Sequence, residues 1–370
     1  PTSLRKHFRK PQSLCLFGIA SFLSKISTIL TYKKKTMTKF KLTMLTLVLF
    51  SSFNMNSQEK KEEKGFTVTG SVDVYHTSNF KSGSPGSIGI LYAGSAAANG
   101  FGLGMVNTVF SYESGKSGVV ADLAYGPRAN AANAYEGAIN QLYAFYKASD
   151  KVTLTLGQFN TFYGYEVISP SGNFNYSVSY LFNAGPFSHT GFKLDYAASD
   201  DLSFMLALTN PHGITSGANP SNDYQYGFQT GYKDQFFNLA YGADGFGFTD
   251  VLYLDYTGGL DLSDSFFLGI NAAYSNSSDA DAGYQGVALY LQNKFSDSFS
   301  LGLRPEFYTT TSGSGDASVS AFTLTGNLTL TDSLKVISEL RYDSSDDMLI
   351  PGFPAEKNMT GGTIAAVYSF

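Results

Sequence analysis

The sequence has one cysteine and no tryptophan in 370 residues, and only 15% of its residues are charged, against about 25% in an ordinary soluble domain. The single cysteine, Cys15, lies near the N-terminus, so the chain beyond it can form neither a disulfide framework nor a thiolate metal site. Uninterrupted apolar stretches of about 18 residues are also missing, which argues against helical membrane spans. These absences exclude the disulfide-rich and zinc-finger classes and argue against a helical membrane protein, with the run 14–30, interrupted by Lys25, as a weak candidate for a membrane helix.

Basic residues are concentrated at one end of the chain. Residues 1–57 contain ten Lys/Arg and no Asp or Glu, whereas residues 58–370 contain 15 basic and 30 acidic residues. Neutralising nucleic-acid phosphates requires clustered Lys and Arg, so we expect no nucleic-acid partner for this acidic region. Low overall charge with 25 Tyr, 31 Phe and 38 Gly instead suits a protein whose outer face meets something other than water.

A basic and then apolar stretch predicts a Sec-type signal peptide over residues 37–57. Two lysines follow Met37, an apolar core covers 42–53, and Ser57 is a suitable cleavage point before a short charged linker over 58–64. The apolar core is too short to cross a bilayer as a helix. The other interpretation of this stretch is an amphipathic N-terminal helix.

Residues 1–36 do not begin with Met and precede a complete signal of their own. We interpret them as upstream translated sequence, a wrongly assigned start or a disordered segment. The folded region is therefore predicted to be 65–370.

From residue 65 onward the dominant hydrophobic period is two. In one example Phe322, Leu324 and Leu328 alternate with Thr323 and Thr325. Successive side chains of a strand point to opposite faces, so each such segment has one apolar and one polar face.

The links between these segments come in two kinds. Short Ser/Thr-Asp or Lys-Asp turns, such as Ser263-Asp264 and Thr331-Asp332, alternate with longer links rich in Gly, Ser and Asn. Short turns at one rim and long loops at the other are typical of an all-β transmembrane barrel with antiparallel up-and-down strands. We count about sixteen strands, with fourteen as the alternative. The predicted strands are 66–76, 99–112, 118–127, 138–148, 152–159, 188–198, 202–209, 223–232, 236–243, 249–261, 265–275, 284–295, 299–309, 318–330, 334–343 and 360–370.

A soluble β-sandwich or propeller would show similar alternation, but two features favour a barrel in the outer membrane. Tyrosines recur near strand ends, where the aromatic girdle of such a barrel lies. These are Tyr112, Tyr125, Tyr146, Tyr196, Tyr241, Tyr274, Tyr308 and Tyr342. The C-terminal sequence Tyr368-Ser369-Phe370 resembles the final strand that barrel-assembly machinery recognises. We therefore expect that machinery, outer-membrane lipid and lipopolysaccharide as partners.

If the apolar faces meet lipid, the alternate positions line the interior. The charged residues predicted to face inward are Asp73, Asp122, Lys193, Asp195, Asp255, Asp261, Arg304, Glu306, Lys335, Glu339, Arg341 and Asp343. Unpaired ions are costly in a dry interior, so both signs of charge indicate water inside, and about sixteen strands give room for it. The other interpretation is a network of ion pairs on the wall. The excess of acids predicts a mild cation preference.

The segment 157–196 (GQFNTFYGYEVISPSGNFNYSVSYLFNAGPFSHTGFKLDY) resembles the OmpL-like family of β-barrel porins. The resemblance rests on Gly157-Gln158-Phe159, Gly164-Tyr165-Glu166, the Ser/Asn/Tyr stretch 175–180, Gly185-Pro186 and the return at Thr190-Gly191. It implies an outer-membrane channel for small hydrophilic solutes, without a cofactor. Whether such a barrel works alone or as a homotrimer is left open.

Residues 160–187 form the longest predicted link, and they carry Glu166 in an aromatic, Gly-rich setting. A loop of this length either caps a barrel from outside or folds inward and narrows it. We predict inward folding, with Glu166 near the constriction; the alternative is an external loop in which Glu166 pairs with a neighbouring strand.

Enzyme classes are not favoured. The histidines beyond the signal are His76, His189 and His212, and the best constellation, Ser188-His189 with Asp195, is adjacent only in sequence. We therefore expect a channel without enzymatic activity. A non-conducting structural or adhesive barrel stays open as an alternative, and so does a sugar-selective porin using lumen aromatics such as Tyr253 and Tyr290.

Overall fold

The computed structural model describes residues 64–80, 99–132, 138–211, 219, 222–244, 248–313, 315–345 and 357–370. The predicted upstream segment 1–36 and signal peptide 37–57 lie outside the described residues. The same is true of most of the predicted linker 58–64 and of His212.

Sixteen antiparallel strands form one closed barrel in which each strand pairs with its neighbours in sequence, as predicted. The strands are β1 (Lys64–Asn79), β2 (Gly100–Ser114), β3 (Ser117–Tyr125), β4 (Ile139–Ser149), β5 (Val152–Asn160), β6 (Ser188–Ala197), β7 (Leu202–Thr209), β8 (Gln225–Tyr232), β9 (Gln235–Gly242), β10 (Val251–Asp261), β11 (Phe266–Ser277), β12 (Ala282–Lys294), β13 (Phe299–Ser312), β14 (Ala317–Thr329), β15 (Leu334–Ser345) and β16 (Asn358–Ser369).

The barrel closes between its first and last strands. Their register runs from Ser71 opposite Ser369 to Asn79 opposite Gly361. The terminal Phe370 extends the pairing: its N–H donates to the carbonyl of Gly70 at 3.0 Å, and the Gly70 N–H donates back at 2.9 Å. Among the sixteen strands described, none is left with an open edge for pairing with another chain.

Connections at the two ends of the barrel differ in length. At the short-turn rim, the links from even-numbered to odd-numbered strands contain two to four residues. The other end, the long-loop rim, carries links of up to 27 residues, the longest joining β5 to β6. Both ends of the described barrel, at β1 and β16, lie at the short-turn rim, as an even strand count requires.

Several strands extend further at the long-loop rim than the sequence predicts. The predicted link 276–283 shrinks to four residues, because Asn276 pairs with Gly283 and Ser277 with Ala282. These residues are small or polar, so their composition resembles a loop although their backbones complete the ladder.

The outward face is apolar and exposed, with Phe101, Leu103 and Leu156 between 66% and 92% accessible. Seven of the eight predicted girdle tyrosines are also exposed on this face, at 39% to 53%: Tyr112, Tyr125, Tyr146, Tyr196, Tyr241, Tyr274 and Tyr342. The prediction for Tyr308 is wrong. It shares the parity of Arg304 and Glu306 on β13, so it points inward, where it is 7% exposed.

Short helical turns occur only in links of the described chain, at Pro127–Ala132, Pro170–Gly172 and Tyr180–Ala184. Ser179 caps the last of these, its side chain accepting from the Phe182 N–H at 3.0 Å. None of the helices in the described part of the chain is long and apolar enough to cross a membrane.

The facing of strand β6 can be tested with single-cysteine spin labels in a Cys15→Ser background, because Cys15 is the only cysteine of the chain. Phe192→Cys and Tyr196→Cys replace outward side chains, and Asp195→Cys replaces an inward one. In lipid vesicles, power-saturation electron paramagnetic resonance should show the labels at 192 and 196 relaxed mainly by oxygen, which dissolves in lipid. The label at 195 should respond mainly to a water-soluble nickel chelate. Equal responses at 195 and 196 would contradict the assigned faces.

Candidate functional site

The long link from β5 to β6 runs inside the barrel, and we call residues 161–187 the inward segment. Its two ends are joined where the Thr161 N–H donates to the Phe187 carbonyl at 3.1 Å. Between them the segment reaches from β8, where Gln229 donates to the Phe162 carbonyl at 3.1 Å, to β1, where Ser71 bonds Ser169 at 2.9 Å. The segment therefore crosses the lumen and touches opposite parts of the wall.

Two wall glutamates hold the backbone of the inward segment. Glu339 on β15 accepts from the N–H groups of Tyr176 and Ser177, at 2.7 and 3.0 Å. Glu306 on β13 accepts from those of Tyr180 and Leu181, at 3.0 and 2.9 Å. Buried N–H groups of irregular backbone need acceptors, and a carboxylate provides several in one place.

Arg304 binds both the charge and the backbone of the inward segment. One guanidinium nitrogen lies 2.5 Å from Glu166 Oε1 and 2.6 Å from the Ser177 carbonyl. The other oxygen of Glu166 accepts from the N–H and hydroxyl of Ser179, at 2.7 and 2.5 Å. The side chains of Arg304 and Glu166 are 1% and 3% exposed, so this ion pair is sealed from solvent.

Arg341 makes a second connection of the same kind. It donates to the Val178 carbonyl at 2.8 Å, while its Nε contacts both oxygens of Asp343 at 2.9 and 3.0 Å. Arg304 and Arg341 therefore each have a carboxylate partner as well as a carbonyl acceptor, which is the condition under which buried charge is tolerated.

Aromatic rings of the inward segment lie over bare glycines of the wall. The Tyr165 ring stacks on Tyr290, with centroids 4.1 Å apart, and covers Gly269. Phe174 covers Gly302 in the same way. A β-carbon at either glycine would overlap the ring, so glycine permits the close approach. Burial, and next the charge of Glu166, raises the pKa of Tyr165 to about 12, so its hydroxyl stays protonated at neutral pH.

The other side of the inward segment is fixed by β10 and β1. Tyr163 stacks on Tyr253 at 5.7 Å, and the Gly164 N–H donates to Asp255 Oδ1 at 3.0 Å. The Tyr176 hydroxyl donates to Asp73 Oδ2 at 2.5 Å. Tyr253 and Tyr290 therefore already carry aromatic partners, which leaves them unsuited to the sugar-stacking role considered above.

Most of the charged residues predicted from the sequence do face the interior, but nine of them are at most 8% exposed. These nine are Asp73, Asp122, Glu166, Asp255, Arg304, Glu306, Glu339, Arg341 and Asp343. The inward segment covers most of them. Asp122 is covered instead by the side-chain amides of Asn107, Asn140 and Gln141. The expectation that they line a water column needs correction, since their partners are protein groups. Lys193, Asp195 and Lys335 keep partial exposure, and Asp261, at the short-turn end of β10, is exposed.

Other residues of the site were not predicted. Arg128 is 2% exposed, lies 4.6 Å from the centre of the Tyr176 ring and donates to the Tyr176 carbonyl at 3.2 Å. Ser177 accepts a hydrogen bond from Arg304 at its carbonyl, and Ser179 donates to Glu166 from its N–H and its hydroxyl. The sequence offers only a weak signal for these roles, namely the polar stretch 175–180 within the longest link.

The constellation around His189 is not a hydrolytic one. His189 is buried; its Nε2 lies 3.0 Å from Thr161 Oγ1 and its ring stacks on Phe162. Asp195 lies six residues further along the same strand, roughly 20 Å away, and pairs with Lys193 at 3.1 Å. Within the described ranges, no group of three or more His, Cys, Asp or Glu side chains is placed to hold a metal ion.

Loss of the Arg304 guanidinium should loosen the inward segment without opening the barrel. In Arg304→Gln, Glu166 becomes an unpaired buried charge and two carbonyls lose a donor, a local cost of about 3 kcal/mol or more. Hydrogen exchange followed by mass spectrometry should then show amides 176–181 exchanging about 100-fold faster. The matched control is Lys193→Gln, which removes a partly exposed ion pair worth about 1 kcal/mol at most. Unchanged protection in Arg304→Gln would contradict the anchoring role.

Comparison with known proteins agrees with this architecture. A family profile described as "Putative beta-barrel porin-2, OmpL-like" matches residues 65–370. A comparison with curated protein sequences finds no match.

Among solved structures, the anion-selective porin from Comamonas acidovorans has a TM-score of 0.58 at 13% identity, covering 83% of this chain and all of that one. The outer membrane channel DcaP of Acinetobacter baumannii has a TM-score of 0.57 at 11% identity, covering 86% of this chain and 100% of that one. The trimer form of OmpT from Vibrio cholerae has a TM-score of 0.55 at 11% identity, covering 83% of this chain and 99% of that one. At these identities the likeness concerns the fold alone.

The family profile spans the whole barrel, including the inward segment that the resemblance in 157–196 had singled out. The chain belongs to the OmpL-like family of β-barrel porins, integral proteins of the outer membrane.

Proposed function

We propose that this porin forms a water-filled channel for passive diffusion of small hydrophilic solutes, and that the inward segment sets its narrowest point. The observation that carries the proposal is a wide closed barrel crossed by a segment whose backbone is bonded to wall charges. Sixteen strands enclose more space than side chains alone fill, so a segment fixed across the lumen governs what passes.

Water inside the barrel is supported by the charged pair on β6. Lys193 and Asp195 point inward, and their side chains are 25% and 39% exposed. Two interior ions that keep this much exposure fit a hydrated lumen beside the inward segment, since dehydrating them would be costly.

Export by a signal peptide over 37–57 and recognition of the final strand by barrel-assembly machinery are part of the same proposal. The Phe370 ring is 54% exposed although its backbone closes the barrel, which supports recognition of this residue from outside the sheet. We also propose a homotrimer, because one structural neighbour, OmpT from Vibrio cholerae, has a trimer form.

Removing most of the inward segment should widen the channel. Replacement of residues 166–183 by a short Gly-Ser linker strips the partners from the wall glutamates and arginines, which then become hydrated. Single-channel conductance in planar bilayers should rise several-fold, and liposomes should swell faster in small sugars. The matched control shortens the exterior link 278–281 and should leave conductance unchanged.

Two results would contradict this proposal. Equal conductance with and without residues 166–183 would show that the segment does not set the constriction. A wild-type barrel that neither conducts nor supports swelling would favour the structural or adhesive role instead.

We further propose a mild cation preference, because carboxylates outnumber cations among the interior side chains. In a potassium chloride gradient the reversal potential should have the sign for cations, and it should shrink at high salt because the field is screened. Asp195→Asn should weaken the preference and Lys193→Gln should strengthen it, since both charges are hydrated. A wild-type reversal potential of the anion sign would refute the preference.

A further inference from the structure

A cavity of about 490 Å³ lies between the inward segment and the wall. Phe267, Gln292 and Lys335 line it from the wall, and each lies within three residues of a strand end at the short-turn rim. Phe174 and Asn175 are among the lining residues from the inward segment. The volume is in the range of small-molecule sites, so we call this space the Lys335 cavity.

The Lys335 cavity contains one cation without an opposite charge. The contact found for Lys335 Nζ is the Asn173 carbonyl at 3.3 Å, and in the part of the chain that the structure describes no carboxylate lies within ion-pair distance of it. Glu166 also lines the cavity, but both of its oxygens are occupied by Arg304 and Ser179. The cavity therefore presents a net positive charge at Lys335.

The rest of the lining combines ring surfaces with amides. Phe174 and Phe267 are half-buried and contribute apolar faces, while Asn175 and Gln292 contribute hydrogen-bonding groups. Ring faces with amides suit a flat solute that carries hydroxyl groups, and the ammonium group suits a carboxylate on that solute.

We propose that the Lys335 cavity binds a small sugar acid, with the carboxylate on Lys335 and the sugar ring between Phe174 and Phe267. The proposal rests on the porin function proposed above and names a class of solute for it. A sugar-acid site is compatible with a mild cation preference. The reversal potential depends on the summed field of all charges in the lumen, whereas Lys335 binds a carboxylate only at contact distance.

The absence of tryptophan allows a direct binding measurement. Phe267→Trp places a single tryptophan in the cavity of the detergent-solubilised barrel, and it can be excited at wavelengths that the 25 tyrosines do not absorb. Titration with sodium glucuronate should change its emission in a saturable way, whereas glucose, which has a hydroxymethyl group instead of the carboxylate, should bind about tenfold more weakly. Acetate, which lacks the ring, should also bind about tenfold more weakly.

Variants separate the charge of Lys335 from charge elsewhere in the lumen. Lys335→Met should weaken glucuronate binding about tenfold, and Lys193→Met, the matched control at the other partly exposed interior lysine, should leave it unchanged. Saturation-transfer NMR on the chain with Phe267 intact repeats the comparison without altering the cavity.

The outcomes of the two proposals are distinguishable, because binding is measured without conduction. Equal affinity for glucose and glucuronate, or an unaffected Lys335→Met variant, would overturn the sugar-acid assignment. Acetate binding as tightly as glucuronate would overturn the role of the aromatic faces. If the barrel binds glucuronate but carries no current, the proposed channel function is contradicted and the proposed binding site is supported.

Discussion

Irregular backbone inside a closed barrel must find a partner for every polar group, and the inward segment depends on this constraint. The stretch 176–181 donates its N–H groups to Glu339 and Glu306 and gives its carbonyls to Arg304 and Arg341. The ladder of the neighbouring strands cannot serve it, because each strand already pairs on both sides. Charged side chains of β13 and β15 take over the role that a sheet neighbour would have had.

Because of this arrangement, a charged residue that faces the interior of such a barrel need not be in contact with water. A carboxylate that accepts two backbone N–H groups is satisfied without water, so acidic residues facing inward do not by themselves indicate a hydrated lumen. Partial exposure is the better criterion, and Lys193, Asp195 and Lys335 meet it. The hydrated part of the interior is therefore expected beside β6 and, around Lys335, near the short-turn rim.

The period-two pattern was sufficient to predict the barrel, the strand order and the facing of most residues. It is a local signal, and the antiparallel up-and-down topology needs only local pairing. The prediction for Tyr308 was wrong because tyrosine is common near strand ends on either face of a barrel. The parity of Tyr308 with Arg304 and Glu306 within β13 is what determines its inward direction. The ends of β11 and β12 were missed because small polar residues complete the ladder there.

The contacts of the inward segment could not be predicted in the same way. Glu166 and Arg304 are 138 residues apart in sequence, and no periodicity relates them. Gly269 and Gly302 look like ordinary strand glycines until Tyr165 and Phe174 are placed over them. Such pairings depend on how one irregular chain fits a surface, which single-residue preferences do not encode.

The strength of these contacts also determines how the inward segment behaves. Removing one partner of a buried ion pair costs about 3–5 kcal/mol, and this segment has such a pair at Glu166 and Arg304, further bonds to Arg341, and rings seated on glycine. Its ends are joined by a backbone hydrogen bond between Thr161 and Phe187. A segment held at its centre and at its ends acts as part of the wall. In the proposed channel, selectivity would therefore depend on the fixed geometry of the segment and on the few exposed charges beside it.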